Sequence, residues 1–181
     1  MRAGRAVAAF TLVELLVITS VLVLLSAASF PALIRYYEEQ KLRQAAIELQ
    51  SFLLQARSLA ERRDGTCTVT LTTTGASAGN APICSRANLS ALDLPQITSV
   101  RGLCLSENGS VGTACTAPNP TQVVFNSLGV LAVPQAGATS TRRLFLSGSA
   151  TRVQYCLDLS LALIRVGFRN GTSGDCTFTR S

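Results

Sequence analysis

The sequence predicts an α+β protein in which one long N-terminal helix, half membrane-type and half amphipathic, packs on a head built of mainly antiparallel β-sheet. Three observations predict it. Phe10–Leu33 (FTLVELLVITSVLVLLSAASFPAL) is apolar except for Glu14 and exceeds the roughly 20 residues that cross a bilayer. From Leu42 apolar residues recur at spacings of three and four, the helical period. From Thr66 the period drops to two and β-branched residues dominate, as in half-buried strands. Four segments follow from these changes: 1–9, 10–33, 34–65 and 66–181.

The first element is the apolar run. A carboxylate inside such a run costs about 2.5–3.5 kcal/mol at the bilayer centre and less near its surface. Glu14 therefore needs either a partner or a route to the interface. Met1–Ala9 carries Arg2 and Arg5 and no acid, which holds the N-terminus on the cytoplasmic side and sends the rest outward. Pro31 removes a backbone donor and predicts a kink near the membrane surface.

Beyond Pro31 the helical period persists while the polarity changes. Leu42, Ala45, Ala46, Leu49, Phe52, Leu53, Ala56, Leu59 and Ala60 form one stripe; Arg35, Glu38, Glu39, Lys41, Arg43, Glu48, Arg57 and Glu61 occupy the other faces. The stripe is read as the surface that docks on the head. Arg62 and Arg63 suit the negative end of the helix dipole, and Asp64-Gly65 supplies the stop. A helix from Phe10 to Arg63 would be about 80 Å long.

Strands are expected at Cys67–Thr74, Ile97–Leu105, Thr121–Phe125, Val130–Val133, Arg143–Ser147, Arg152–Leu157 and Leu161–Phe168, with Gly75–Pro82 as a loop and Asn126–Gly129 as a turn. All six cysteines, Cys67, Cys84, Cys104, Cys115, Cys156 and Cys176, lie on the exported side, where disulfides form. Local closure favours Cys67–Cys84, Cys104–Cys115 and Cys156–Cys176; buried free thiols are the alternative. With no histidine and no CxxC pair, no metal, cofactor or zinc set is expected. The Ser–His and Cys–His arrangements of nucleophilic catalysis are excluded as well, so the chain is not expected to be an enzyme.

A small residue followed by Phe10-Thr11-Leu12-Val13-Glu14-Leu15-Leu16-Val17 resembles the class III signal of type IV prepilins and type II secretion pseudopilins. The resemblance implies that residues 1–9 are a leader, that prepilin peptidase cuts between Ala9 and Phe10 and methylates Phe10, and that Glu14 pairs with the Phe10 amine of a neighbouring subunit. The family usually has glycine where Ala9 stands. Pro31 stands where many pilins also carry a proline. The implied partners are other pilins through the N-terminal helix, prepilin peptidase and the inner-membrane assembly platform. The implied location is the bacterial inner membrane, single-pass with the head in the periplasm, and then a pilus or pseudopilus.

Leu42–Arg63 and Val123–Val130 further resemble the GspH/FimT pseudopilins. Some FimT-like proteins bind DNA in natural transformation through a C-terminal Gly-Arg-x-Arg motif. Of that motif, Ala162-Leu163-Ile164-Arg165 keeps the last arginine alone. Arg142, Arg143, Arg165 and Arg169 are nonetheless the residues that could meet DNA if their strands are neighbours; a solvated basic face is the alternative. A further alternative is an ordinary signal peptide, Met1–Ala28, cut to leave Ser29 at the N-terminus. The acid within the apolar run argues against it.

Overall fold

The computed structural model describes residues 11–79, 84, 89, 91–109, 114–119, 121–132, 141–149, 151–160, 163–172 and 174–178. Helix α1, Leu12–Arg62, runs through Pro31. The chain divides into two compact units, Met1–Tyr36 and Tyr37–Ser181.

In the first unit α1 is apolar on all sides and exposed along its length, from Leu12 (80% exposed) to Ile34 (44%). Its most apolar window has mean hydropathy 2.3 and no buried residue. Thr11 caps the helix, its Oγ1 accepting from the Glu14 N–H at 3.2 Å. Thr11-x-x-Glu14 thus has the order of a capping box, and the Glu14 carboxylate sits in the first turn, where the helix dipole favours a negative charge. The hydroxyls of Thr19, Ser20, Ser26 and Ser29 return to the carbonyls of Leu16, Val17, Leu22 and Leu25. These polar side chains therefore carry their own partners into an apolar surrounding.

In the second unit the rest of α1 lies against two five-stranded antiparallel sheets. The first, ordered β3-β2-β1-β5-β6, comprises β1 Cys67–Leu71, β2 Gly75–Ala78, β3 Leu92–Asp93, β5 Gln122–Phe125 and β6 Leu131–Ala132. The second, ordered β10-β9-β8-β7-β4, comprises β4 Cys104–Ser106, β7 Thr141–Ser147, β8 Val153–Ser160, β9 Ile164–Asn170 and β10 Thr177–Phe178. A short helix, α2 Leu94–Thr98, follows β3. The predicted stripe is the core side of α1: Leu42, Ala45, Ala46, Leu49, Leu53, Ala56 and Ala60 are fully buried, and Phe52 nearly so. They join one cluster with Val69, Leu71 and Val123 of the first sheet and Leu144, Leu146, Leu157 and Leu159 of the second. Leu59, at the margin of the stripe, is half-buried.

The helix ends at the predicted Asp64-Gly65 stop. Asp64, not Gly65, takes the left-handed conformation (φ 47°), while the Gly65 N–H reaches back to the Ala60 carbonyl at 3.2 Å. This is the long hydrogen bond of a Schellman end.

Two elements differ from expectation. Ile97–Leu105 is not one strand. Pro95 stands in the first turn of α2, where its missing N–H costs nothing, and Ser99 ends the helix in the left-handed region (φ 55°). Strand pairing resumes only at Cys104. The Gly75–Pro82 stretch, read as a loop, contains β2. A Cβ on Gly75 would lie 2.2 Å from the Leu92 carbonyl oxygen, so the glycine is what lets β3 approach β2.

Disulfides join Cys67 to Cys84, Cys104 to Cys115 and Cys156 to Cys176, closing loops of 17, 11 and 20 residues. Chain entropy assigns about 3 kcal/mol to a loop of this size.

Candidate functional site

Among the described residues, two surfaces stand out as able to act on something else: the exposed apolar segment of α1, and the face of the second sheet turned away from α1. Ala9 and Phe10 lie outside the described residues. Glu14 and Pro31 both lie on the exposed helix of the first unit. Pro31 withholds the donor that the Ala27 carbonyl would otherwise receive.

The register of the second sheet sorts the four arginines. Arg143 of β7 stands opposite Asp158 of β8, which stands opposite Arg165 of β9, so the three share one row on one face. The next row on that face is Phe145, Cys156 and Gly167, with Phe178 of β10 beside Gly167. Gln154 and Arg169 form the row after that. Arg143, Arg165 and Arg169 are therefore brought to one face. Arg142 is not. It stands opposite buried Leu159 on the other face, where its guanidinium pairs with Glu107 and donates to the Gln122 carbonyl at 2.9 Å, linking the two sheets.

The shared face is partly occupied by the protein itself. Arg169 stacks over the Phe145 ring at 4.0 Å. It also donates through Nε and Nη2 to Gln154 Oε1, at 2.9 and 2.6 Å. Burial, and then the charge of Arg143, push the Arg169 pKa below the usual arginine value. Gln154, 2% exposed, also donates from Nε2 to the Gly109 carbonyl at 2.8 Å. It thereby fastens Gly109, just past the end of β4, to the sheet. A Cβ on Gly109 would lie 2.1 Å from Arg169 Nη2. On the opposite flank Cys156–Cys176 holds the C-terminal stretch, and Phe178 lies under Arg143 at 5.7 Å.

Arg143 reaches Asp158 at 3.9 Å. Arg165 is exposed and has no ion-pair or hydrogen-bond partner among the described residues. The open cationic surface is thus the Arg143–Arg165 end of the face. The Gln154 clamp was missed from sequence, because a glutamine inside a β-strand carries no spacing signal. Among the described residues no three metal-ligating side chains cluster.

One long N-terminal helix docked on an antiparallel β head, with its other half apolar and uncovered, is the fold of the type IV pilins. It is similar in particular to the crystal structure of the type IV minor pilin FimU of Pseudomonas aeruginosa, at 21% identity and a TM-score of 0.50, over 76% of this chain and 95% of that one. No protein-family model matches the chain, and no curated protein matches it in sequence.

Proposed function

We propose that the chain is a minor pilin or pseudopilin of GspH/FimT type, a structural and assembly subunit of a type IV pilus or a type II secretion pseudopilus. The observation that carries this reading is the first unit of α1. It is a helix apolar on every side with one acid in its first turn, joined to a helix–sheet head of pilin fold. An all-round apolar helix can exchange lipid for the equivalent helices of neighbouring subunits. On this reading prepilin peptidase cuts between Ala9 and Phe10 and methylates Phe10. The chain rests in the inner membrane with its head in the periplasm, and the assembly platform then moves it into the filament.

Glu14 has a local role as the first-turn acid of a capped helix. In a filament it gains a second, pairing with the Phe10 amine of the neighbouring subunit, which sets axial register. The test is Glu14→Ala. The variant should stay membrane-bound and folded but be depleted from sheared filaments; incorporation equal to the parent would refute the pairing.

A second reading, DNA binding in natural transformation, is favoured by one observation: Arg143, Arg165 and Arg169 share a face. It predicts binding that weakens steeply with salt, with a shallower salt slope in Arg143→Ala/Arg165→Ala. Salt-insensitive binding, or none, would reject it.

A further inference from the structure

Asparagine precedes glycine twice in this chain, at Asn108-Gly109 and Asn170-Gly171. Such a pair carries its own nucleophile. The glycine nitrogen can attack the side-chain carbonyl carbon of the asparagine, and the missing Cβ leaves that approach open. Two conditions govern the step: the peptide between the two residues must turn, and its N–H must be free to lose a proton. The fold meets both at one pair and denies both at the other.

Asn170 is the last residue of β9 and stands opposite Val153 of β8. The Gly171 N–H donates to the Arg152 carbonyl at 2.6 Å. This nucleophile is engaged, and the end of the β8–β9 ladder must open before the peptide can turn. Asn108 lies two residues past the end of β4, exposed and in a bend. Its side chain, its carbonyl and the Gly109 N–H have no hydrogen-bond partner among the described residues. The nearest restraint is one peptide further on, where Gln154 donates to the Gly109 carbonyl.

We propose that Asn108 is a site of spontaneous modification: it deamidates in the folded chain while Asn170 is protected, and the product loosens the Gln154 clamp. The Gly109 nitrogen passes its proton to solvent base and bonds to Asn108 Cγ. The side-chain nitrogen leaves as ammonia, closing a succinimide. Water then opens the ring. Attack at the former side-chain carbonyl gives aspartate; attack at the main-chain carbonyl gives isoaspartate, whose chain runs through the β-carbon. One water enters and one ammonia leaves, with no other reactant. Either product sets a new carboxylate one residue from the contact between Gly109 and Arg169, and the net charge of the head falls by one. Isoaspartate also adds a methylene to the main chain, which draws the Gly109 carbonyl away from Gln154. The inference uses the head unit alone and does not depend on the filament reading.

The test ages the full chain in detergent, in mildly alkaline buffer at physiological temperature. Trypsin places the two pairs on separate peptides, Gly102–Arg142 and Asn170–Arg180. Mass spectrometry with electron-transfer fragmentation then locates each conversion and separates isoaspartate from aspartate. Asn108 should convert at least about tenfold faster than Asn170, because Asn170 must first lose a hydrogen bond and its place in the ladder. In the reduced chain held in denaturant the two pairs should convert at similar rates. Similar rates in the folded chain, or conversion of Asn108 only after unfolding, overturns the proposal. The isoaspartate fraction, separated by charge, should exchange amide hydrogens faster at residues 104–109 than the unaged chain, and aged Asn108→Gln should not. Exchange at the unaged rate in the isoaspartate fraction overturns the link to the clamp.

Discussion

Replacing Gln154 by leucine removes the clamp at the centre of the outer sheet face while keeping a side chain of similar volume. Three hydrogen bonds go with it: two from the Arg169 guanidinium, at 2.9 and 2.6 Å, and one to the Gly109 carbonyl at 2.8 Å. A hydrogen bond to a charged group contributes about 1.5–3 kcal/mol, and a neutral one about 1 kcal/mol. Arg169 is only partly buried, so its freed donors regain water and the charged contribution is counted once, at its low end. The Gly109 carbonyl is left facing a methyl group. The expected loss is therefore about 2–3 kcal/mol. For a chain of this length each kcal/mol lowers Tm by about 2–4 °C, so thermal unfolding of the full chain in detergent, followed by near-UV circular dichroism, should move down by about 5–10 °C. Hydrogen exchange should quicken at residues 104–109 and 114–119 before it changes elsewhere. Gln154→Glu separates the two halves of the clamp: it keeps a partner for Arg169 but sets a carboxylate oxygen against the Gly109 carbonyl. It should loosen the same segment with a smaller drop in Tm. A Tm for Gln154→Leu within about 1 °C of the parent would refute the reasoning.

Asp64 holds a left-handed conformation at φ 47° and puts a negative charge at the negative end of α1, so Asp64→Gly should stabilise the chain by about 0.5–1 kcal/mol, read as a rise in Tm. Tyr155 has its pKa raised above 10.0 by burial, with Arg43 opposing and Glu39 adding to the shift. Its neutral form is thus favoured in the folded chain. That stability is fully present below pH about 10, the tyrosine reference value, and is lost as pH rises through the higher folded pKa. Tyr155→Phe should flatten the fall in Tm above pH about 10; an unchanged profile would contradict the assignment. A strain lacking the chain separates the two machines: exoproteins trapped in the periplasm indicate a secretion pseudopilus, whereas an unchanged secretome with altered twitching or DNA uptake indicates a pilus.

Much of the fold could be read from residue spacing. The three-and-four stripe from Leu42 to Ala60 predicts the buried side of α1 because an isolated helix has one way to hide such a stripe. Cys67–Leu71 alternates in sequence and alternates in burial. What escaped depended on backbone opportunities that composition conceals. Ile97, Thr98 and Val100 carry strand-type side chains, but Pro95 and a left-handed Ser99 frame a helical turn. Within it the Thr98 hydroxyl returns to the Leu94 carbonyl at 2.7 Å. Gly75–Ala78 carries loop-type residues but forms a strand because small side chains admit β3 at close range. Thr177–Phe178 is too short to show a period. The arginine face was legible only as composition. Strand order decides that Arg143, Arg165 and Arg169 share a face and that Arg142 turns inward to Glu107, and sequence does not reveal strand order.

The central claim is that α1 begins, after processing, as the filament-forming helix of a pilin. The measurement that tests it most directly is the intact mass and N-terminal sequence of the chain purified from the membranes of its own cell. The account predicts a chain that starts at Phe10 and carries one methyl group on its α-amine. A chain that starts at Met1, or at Ser29 as an ordinary signal peptide would leave it, contradicts the account.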